Sequence, residues 1–300
     1  MSQQIQRQGV IYALCAYILW GIAPIYFKTI AAVPATEILT HRMIWSCLLL
    51  LVLTLASRQW HKVQAILRQP KVLLTLALTS VTIGSNWLLF IWATNNGHML
   101  DASLGYYINP LFNVLLGMLF LNEKLRRLQW WAVILAFVGV AIQLIAFGSL
   151  PWISLVLASS FALYGLMRKK LALDALTGLL IETMIMLPPA AIYLWGIADS
   201  PTSHLTQNDW HLNLLLIAAG AVTTIPLLCF TAAATRLKLS TLGFFQYIGP
   251  SMMFILAVTL YGEALAMDKL ITFACIWSAL LIFTLDGVRN SKAKSVPAKA

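Results

Sequence analysis

Hydrophobic positions run through this 300-residue chain in long blocks, separated by short polar segments. Apolar residues dominate near 10–30, 36–56, 72–94, 101–121, 128–146, 150–167, 177–198, 212–234, 241–261 and 267–286. A helix that is apolar on every face has no side to turn toward water, so each block reads as a helix immersed in lipid. About 20 helical residues cross a hydrocarbon core of about 30 Å, so the pattern predicts ten membrane spans. The block at 150–167 is the shortest of them.

Composition narrows the class further. The chain is 60% hydrophobic and 10% charged, against about 45–50% and about 25% in globular proteins. So little charge cannot keep a surface of this size in water, which argues against a soluble enzyme or a nucleic-acid binder. The cysteines Cys15, Cys47, Cys229 and Cys275 each lie in an apolar run without a CxxC pair or a neighbouring histidine. They predict neither a disulfide framework nor a metal site, and no cofactor motif occurs. Ala31-Ala32-Val33-Pro34-Ala35 imitates a signal-peptidase site behind Arg7, but the preceding run is too long for a signal sequence and reads as a retained first span.

The net charge of +10 becomes informative once placed. Arg58, Lys62, Arg68 and Lys71 follow span 2, Lys124, Arg126 and Arg127 follow span 4, Arg168, Lys169 and Lys170 follow span 6, and Arg236 and Lys238 follow span 8. With Arg7 and the tail residues Arg289, Lys292, Lys294 and Lys299, seventeen of the twenty basic residues fall on one side. That bias marks the cytoplasmic face and predicts both termini there. The basic excess is thus a topology signal, with no nucleic-acid partner implied.

The chain also repeats itself. Tyr107-Ile108-Asn109-Pro110 through Asn122-Glu123 aligns without gaps on Tyr247-Ile248-Gly249-Pro250 through Gly262-Glu263, at an offset of 140 residues. Two units follow, 8–146 and 150–287, flanked by cytoplasmic tails 1–7 and 288–300. Each holds five spans. Five is odd, so the second unit enters the membrane inverted relative to the first. Inverted repeats characterise secondary transporters, which bind substrate near the midplane between the repeats.

Several stretches carry a family resemblance. The Phe120-Leu121-Asn122-Glu123 turn, Gln129 and the Gly139-containing span 5 resemble the EamA module of the drug/metabolite transporter superfamily. Trp20-Gly21-Ile22-Ala23-Pro24, Glu37-Ile38-Leu39-Thr40-His41-Arg42, Asn86-Trp87-Leu88-Leu89-Phe90 and Thr241-Leu242-Gly243-Phe244-Phe245-Gln246-Tyr247 are similar to RarD-type permeases. The resemblance covers all but the Lys-rich tail. It implies a ten-helix bacterial inner-membrane permease with a central cavity, and a substrate among drug-like molecules (chloramphenicol is attached to the RarD name), amino acids or aromatic metabolites. Asn122 departs from the module, which usually has Gly before the Glu.

Ionisable groups within the spans are the first functional candidates, because burying them in lipid costs several kcal/mol. Glu37 and His41 share a helix face four residues apart, with Arg42 beside it. Arg42 and His41 suit a substrate carboxylate or phosphate, and Glu37 with His41 suits proton transfer; the alternative is that Glu37 and Arg42 neutralise each other and anchor the helix at the outer rim. Glu182, the only carboxylate well inside a later span, fits a proton-coupling site. Its alternative is a permanent pair with Lys28 or with a basic residue near the cytoplasmic side.

Pro110 and Pro250 are expected to kink spans 4 and 9. Tyr106, Tyr107, Asn109 and Asn113 beside one, and Phe245, Gln246 and Tyr247 beside the other, would make a mixed polar and aromatic pocket; packing hinges are the alternative. Trp20, Trp45 and Trp87, with Asn86, could stack on an aromatic substrate or fill lipid-facing space. Trp60, Trp130, Trp131, Trp152 and Trp210 read as the interfacial belt. Glu123 and Glu263 close spans 4 and 9 and read as structural. Ala132/Ala136 and Ala274/Ser278 permit close helix approach, within one chain or in a homodimer.

The sequence thus predicts an all-α membrane protein: a secondary transporter of a small organic molecule, working by alternating access. The rival is an integral-membrane or lipid-modifying enzyme using Glu37, His41 and Glu182 as acid and base, against which the inverted repeat argues.

Overall fold

The computed structural model describes residues 3–95, 98–148, 151–200, 202, 205–259 and 267–295. The described residues form α1 (Gln3–Thr29), α2 (Ala35–Ala56), α3 (Trp60–Leu67), α4 (Pro70–Asn95), α5 (Met99–Leu121), α6 (Arg127–Phe147), α7 (Trp152–Leu171), α8 (Ala175–Gly196), α9 (Trp210–Arg236), α10 (Leu239–Gln246), α11 (Ile248–Thr259) and α12 (Met267–Ser295). No strand occurs among them. Among the described residues, nine helical segments are long and apolar enough to cross a membrane, α10 and α11 together making one of them. The tenth expected span, α7, is a 20-residue helix whose last turn carries Arg168, Lys169 and Lys170. The short helix α3 lies in what reads as a loop in the sequence.

Local chemistry sets the helix ends. Asp174 precedes α8, and its carboxylate accepts the backbone N–H of Thr177 (3.3 Å). Asn122 closes α5 at φ 52°, in the left-handed region, where Gly is easiest and Asn next. The substitution of Asn for the module's Gly is therefore conservative in conformation.

The two prolines act differently. Pro250 offers no N–H to the carbonyl of Gln246, and the ninth span divides there into α10 and α11 around Tyr247. Pro110, in contrast, sits inside the uninterrupted α5.

Helices distant in sequence pack on one another. α5 lies on α7 and α10, α6 on α12, α1 on α9 and α11, α2 on α8 and α9, and α4 on α7 and α8. Exchanging each helix for the one at the same place in the other half expected from the sequence turns α1·α9 into α4·α7, α2·α9 into α4·α8 and α5·α7 into α1·α11. These principal pairs exchange with one another, whereas α7 also packs on α9 with no comparable packing of α1 on α4.

Small residues set the closest approaches. A Cβ on Gly220 would lie 2.6 Å from Trp45 Cβ, so α2 and α9 touch backbone to backbone. Ser46 Oγ also donates to the Gly220 carbonyl (3.2 Å). Ala132 and Ala136 are fully buried against Ile276 and Ala279 of α12. Ala274 and Ser278 face outward instead. Trp130, Trp131, Trp152 and Trp210 are exposed at the starts of their helices, as an interfacial belt requires.

Candidate transport site

The bundle interior holds a narrow cavity between α2, α4, α8 and α9. Arg42, Met43, Ser46, Leu50, Ile83, Trp87, Leu179, Glu182, Thr183, Met186, Thr223, Thr224 and Leu227 line it. Its volume is about 20 Å³, enough for a water and far below the few hundred Å³ that an organic ligand needs. The helices are therefore packed closed around it.

Arg42 comes from α2, with its guanidinium carbon 4.2 Å from the Trp87 ring centroid on α4. The indole face offers the cation electrostatic contact in a dry setting. Its Nε is buried and makes no hydrogen bond among the described residues, as does Thr224 Oγ1 on the facing α9. Both are unspent polar atoms of cavity-lining residues.

Glu182 enters from α8, 2% exposed. Its Oε1 accepts the Thr79 hydroxyl of α4 (2.6 Å), and its Oε2 accepts the Tyr164 hydroxyl of α7 (3.2 Å). Arg168 Nη1 stands 3.5 Å from Oε1. Of the alternatives open in the sequence, a basic residue from the basic end of the bundle is the one found beside this carboxylate. Arg168, grouped by its position with the orienting cations, is turned inward and 1% exposed.

Other candidates separate from this cavity. His41 and Trp45 border a wider recess of about 360 Å³ with Ile44, Leu194, Trp195, Leu205 and Thr206. Glu37 is buried, and its Oε2 accepts the Thr202 hydroxyl (2.7 Å), tying α2 to the segment before α9. Trp20 packs into an aromatic cluster with Tyr17, Phe161 and Phe230.

The polar residues beside the prolines bond to one another. Asn113 Nδ2 donates to Asn109 Oδ1 and to Gln246 Oε1 (3.0 Å each), while Asn109 Nδ2 donates to the Ala158 carbonyl (2.6 Å). Tyr247 donates to the Tyr107 carbonyl (3.2 Å). Tyr106 lies edge-on to Phe90, and Phe245 packs against the main core. Asn86 Nδ2 donates to the Leu157 carbonyl and to Ser160 Oγ (2.8 Å each), joining α4 to α7. In this conformation these side chains hold α4, α5, α7 and α10 together outside the cavity.

Glu123 clasps the end of α5 to the start of α10 at the basic end. Its carboxylate accepts the backbone N–H groups of Leu239 (2.7 Å) and Ser240 (3.0 Å) and the Ser240 hydroxyl (2.7 Å), capping α10. Lys169 donates beside it to the carbonyls of Ala234 and Leu237 at the end of α9. Glu263 lies outside the described residues.

Sequence reasoning missed Arg168, Thr79, Tyr164, Thr202 and Thr224. One signal was present: Tyr164 and Arg168 are four apart, on one helix face.

Comparison with known proteins agrees with the architecture. Residues 7–145 match the EamA-like transporter family. Protein RarD of Salmonella typhimurium is 64% identical over 98% of this chain and 100% of its own length. The Chloramphenicol-sensitive protein RarD of Pseudomonas aeruginosa is 32% identical over 95% of this chain and 96% of its own. A crystal structure superposes with a TM-score of 0.70 at 17% identity, covering 94% of this chain and 98% of that one, which supports the fold alone. The chain belongs to the RarD-type permeases of the EamA family, multi-pass transporters of the bacterial inner membrane.

Proposed function

We propose that this permease moves a small amphipathic organic molecule across the inner membrane by alternating access, with Arg42 holding its anionic or polar group and Glu182 carrying a coupling proton. The observation that carries the reading is that the half-buried Arg42 and the buried Glu182, of opposite charge, line one closed cavity. An ionisable residue inside the membrane is functional by default, and a cation and a carboxylate on one cavity suit a substrate with separated polar groups. Trp87, Met43 and Met186 provide the apolar and polarisable wall.

The ten-span, two-unit reading stands behind this proposal. α7 counts as the sixth span, the units 8–146 and 150–287 are inverted repeats, and the basic turns face the cytoplasm with both termini. The exchange of the principal helix pairs supports it, because repeated halves are expected to make their main contacts in exchangeable pairs. The α5–α7–α10 amide chain and the Glu123 clasp then join the repeats on the cytoplasmic side of a closed state. Rearrangement exposes the amide chain, bringing Asn109, Asn113 and Gln246 to substrate. The recess at His41 and Trp45 is its outer approach.

Export or exchange is the expected mode of transport. The test is thermal-shift screening of purified protein against amino acids, aromatic acids and chloramphenicol, followed by counterflow of each hit in proteoliposomes. Vectorial accumulation of unchanged ligand, lost in Arg42→Ala at equal protein abundance, is the expected result. Chemical conversion of the ligand would instead favour the enzymatic alternative.

A further inference from the structure

Arg168 is the least explained charge in the molecule. It belongs to a run of three basic residues, yet its neighbours behave as bundle-end cations. Lys169 reaches the carbonyls ending α9, and Lys170 lies 5.1 Å from the Phe120 ring centroid. Arg168 instead points inward, and its Nε, Nη1 and Nη2 make no hydrogen bond among the described residues. A buried guanidinium that spends none of its donors is costly. A pair selected for stability alone would satisfy them, since desolvation otherwise exceeds the attraction.

The seat for this side chain is built. The guanidinium lies over Gly178, where a Cβ would come within 2.7 Å of Nη2 and 2.9 Å of Cζ. Gly178 stands one turn before Glu182 on the same face of α8. Glycine at 178 therefore leaves the space through which Arg168 reaches the carboxylate. The other groups facing Glu182 are few. α7 adds Tyr164, and α2 contributes Arg42 across the cavity and Cys47 beside Thr183. Among the described residues, α4 and α9 present the hydroxyls of Thr79, Ser80, Thr223 and Thr224, and α3 turns Val63 and Ile66 inward.

We propose that Arg168, seated over Gly178, is the positioning residue of Glu182: it keeps the carboxylate ionised in the closed state and parts from it when the carboxylate takes up a proton. The step adds one proton from water to the carboxylate, giving a neutral carboxyl that still bonds Thr79 and Tyr164. Arg168 keeps its own charge and loses its counter-ion. Its free donors then turn to water entering the opened cavity. The inference rests on Glu182 being the coupling carboxylate.

The test is infrared difference spectroscopy of the full-length protein in nanodiscs, titrated with pH. The carboxyl C=O band of Glu182 is assigned by its loss in Glu182→Gln. Arg168→Gln is expected to raise the proton affinity read from that band at least about tenfold, one pH unit, and Arg168→Lys to restore most of it. Gly178→Ala keeps both charged residues and is expected to act in the same direction, which covers the case of an Arg168→Gln protein that does not fold. An unchanged titration in Arg168→Gln and Gly178→Ala, or a Glu182 that titrates in neither wild type nor variant, overturns the proposal. If the titration moves as expected but Glu182→Gln keeps counterflow dependent on a pH gradient, the pairing stands and the coupling role of Glu182 falls.

Discussion

Glu123 and Ser240 are 117 residues apart in sequence, yet the carboxylate of one receives both the backbone N–H (3.0 Å) and the hydroxyl (2.7 Å) of the other. The contact closes the basic end of the bundle by capping α10 with a side chain from the end of α5. It also gives the family's turn motif a physical role: the carboxylate must sit just after the left-handed Asn122 to reach the start of α10.

Removing that carboxylate should loosen the basic end. Glu123→Ala strips three acceptor contacts and is expected to cost about 1–3 kcal/mol of stability, with Ser240→Ala costing less. Thermal unfolding of the purified proteins checks the order. A cysteine at Thr183 should react faster with a cytoplasmic thiol reagent in Glu123→Ala than in the parent.

The α2–α9 contact leaves no room for a side chain on Gly220. Gly220→Ala should force the helices apart and destabilise by about 1–3 kcal/mol. Folded protein in the membrane should fall accordingly, whereas Gly196→Ala, with open space around its Cβ position, should leave abundance unchanged.

Asn113 of α5 and Gln246 of α10 bond at 3.0 Å across 133 residues of sequence. A double-mutant cycle with Asn113→Leu and Gln246→Leu should give a coupling of about 0.6 kcal/mol, the usual size for interhelical hydrogen bonds in membranes. Additive effects would show that the two amides do not support each other.

Cysteine labelling separates the closed cavity from the amide chain. In protein held in the closed state, cysteines at Asn109 and Gln246 should stay unreactive toward aqueous reagents. Substrate-driven cycling should expose them. Cysteines that never react under turnover would remove both residues from the transport path.

Arg42→Lys should keep the charge but lose the planar stacking on Trp87. Flux of an anionic ligand should fall less than in Arg42→Ala, and an aromatic substitution, Trp87→Phe, should be milder than Trp87→Ala. Proteoliposome flux at matched protein amounts measures both.

Much of the fold was legible because lipid imposes a simple rule: a spanning helix must be apolar for about 20 residues. The blocks at 36–56, 177–198 and 212–234 accordingly coincide within a few residues with α2, α8 and α9. α3 was not legible, since eight residues of mixed polarity between Trp60 and Leu67 resemble a loop. In the candidate site, Arg42, Trp87 and Glu182 could be picked out as polar or aromatic residues out of place in a span. Thr79 and Thr224 could not, because threonines are common in membrane helices and nothing local marks the ones that face a cavity.

The sequence by itself determined the environment, the helices and the orientation signal, since each depends on residue type and spacing along the chain. Tertiary structure decided which side chains meet. A helix apolar on all sides carries no moment to say which face turns inward, so azimuth is set by close packing at small residues such as Gly178 and Gly220. That rotation is why Arg168 leaves the orienting cations to face Glu182, and why adjacent His41 and Arg42 border different cavities.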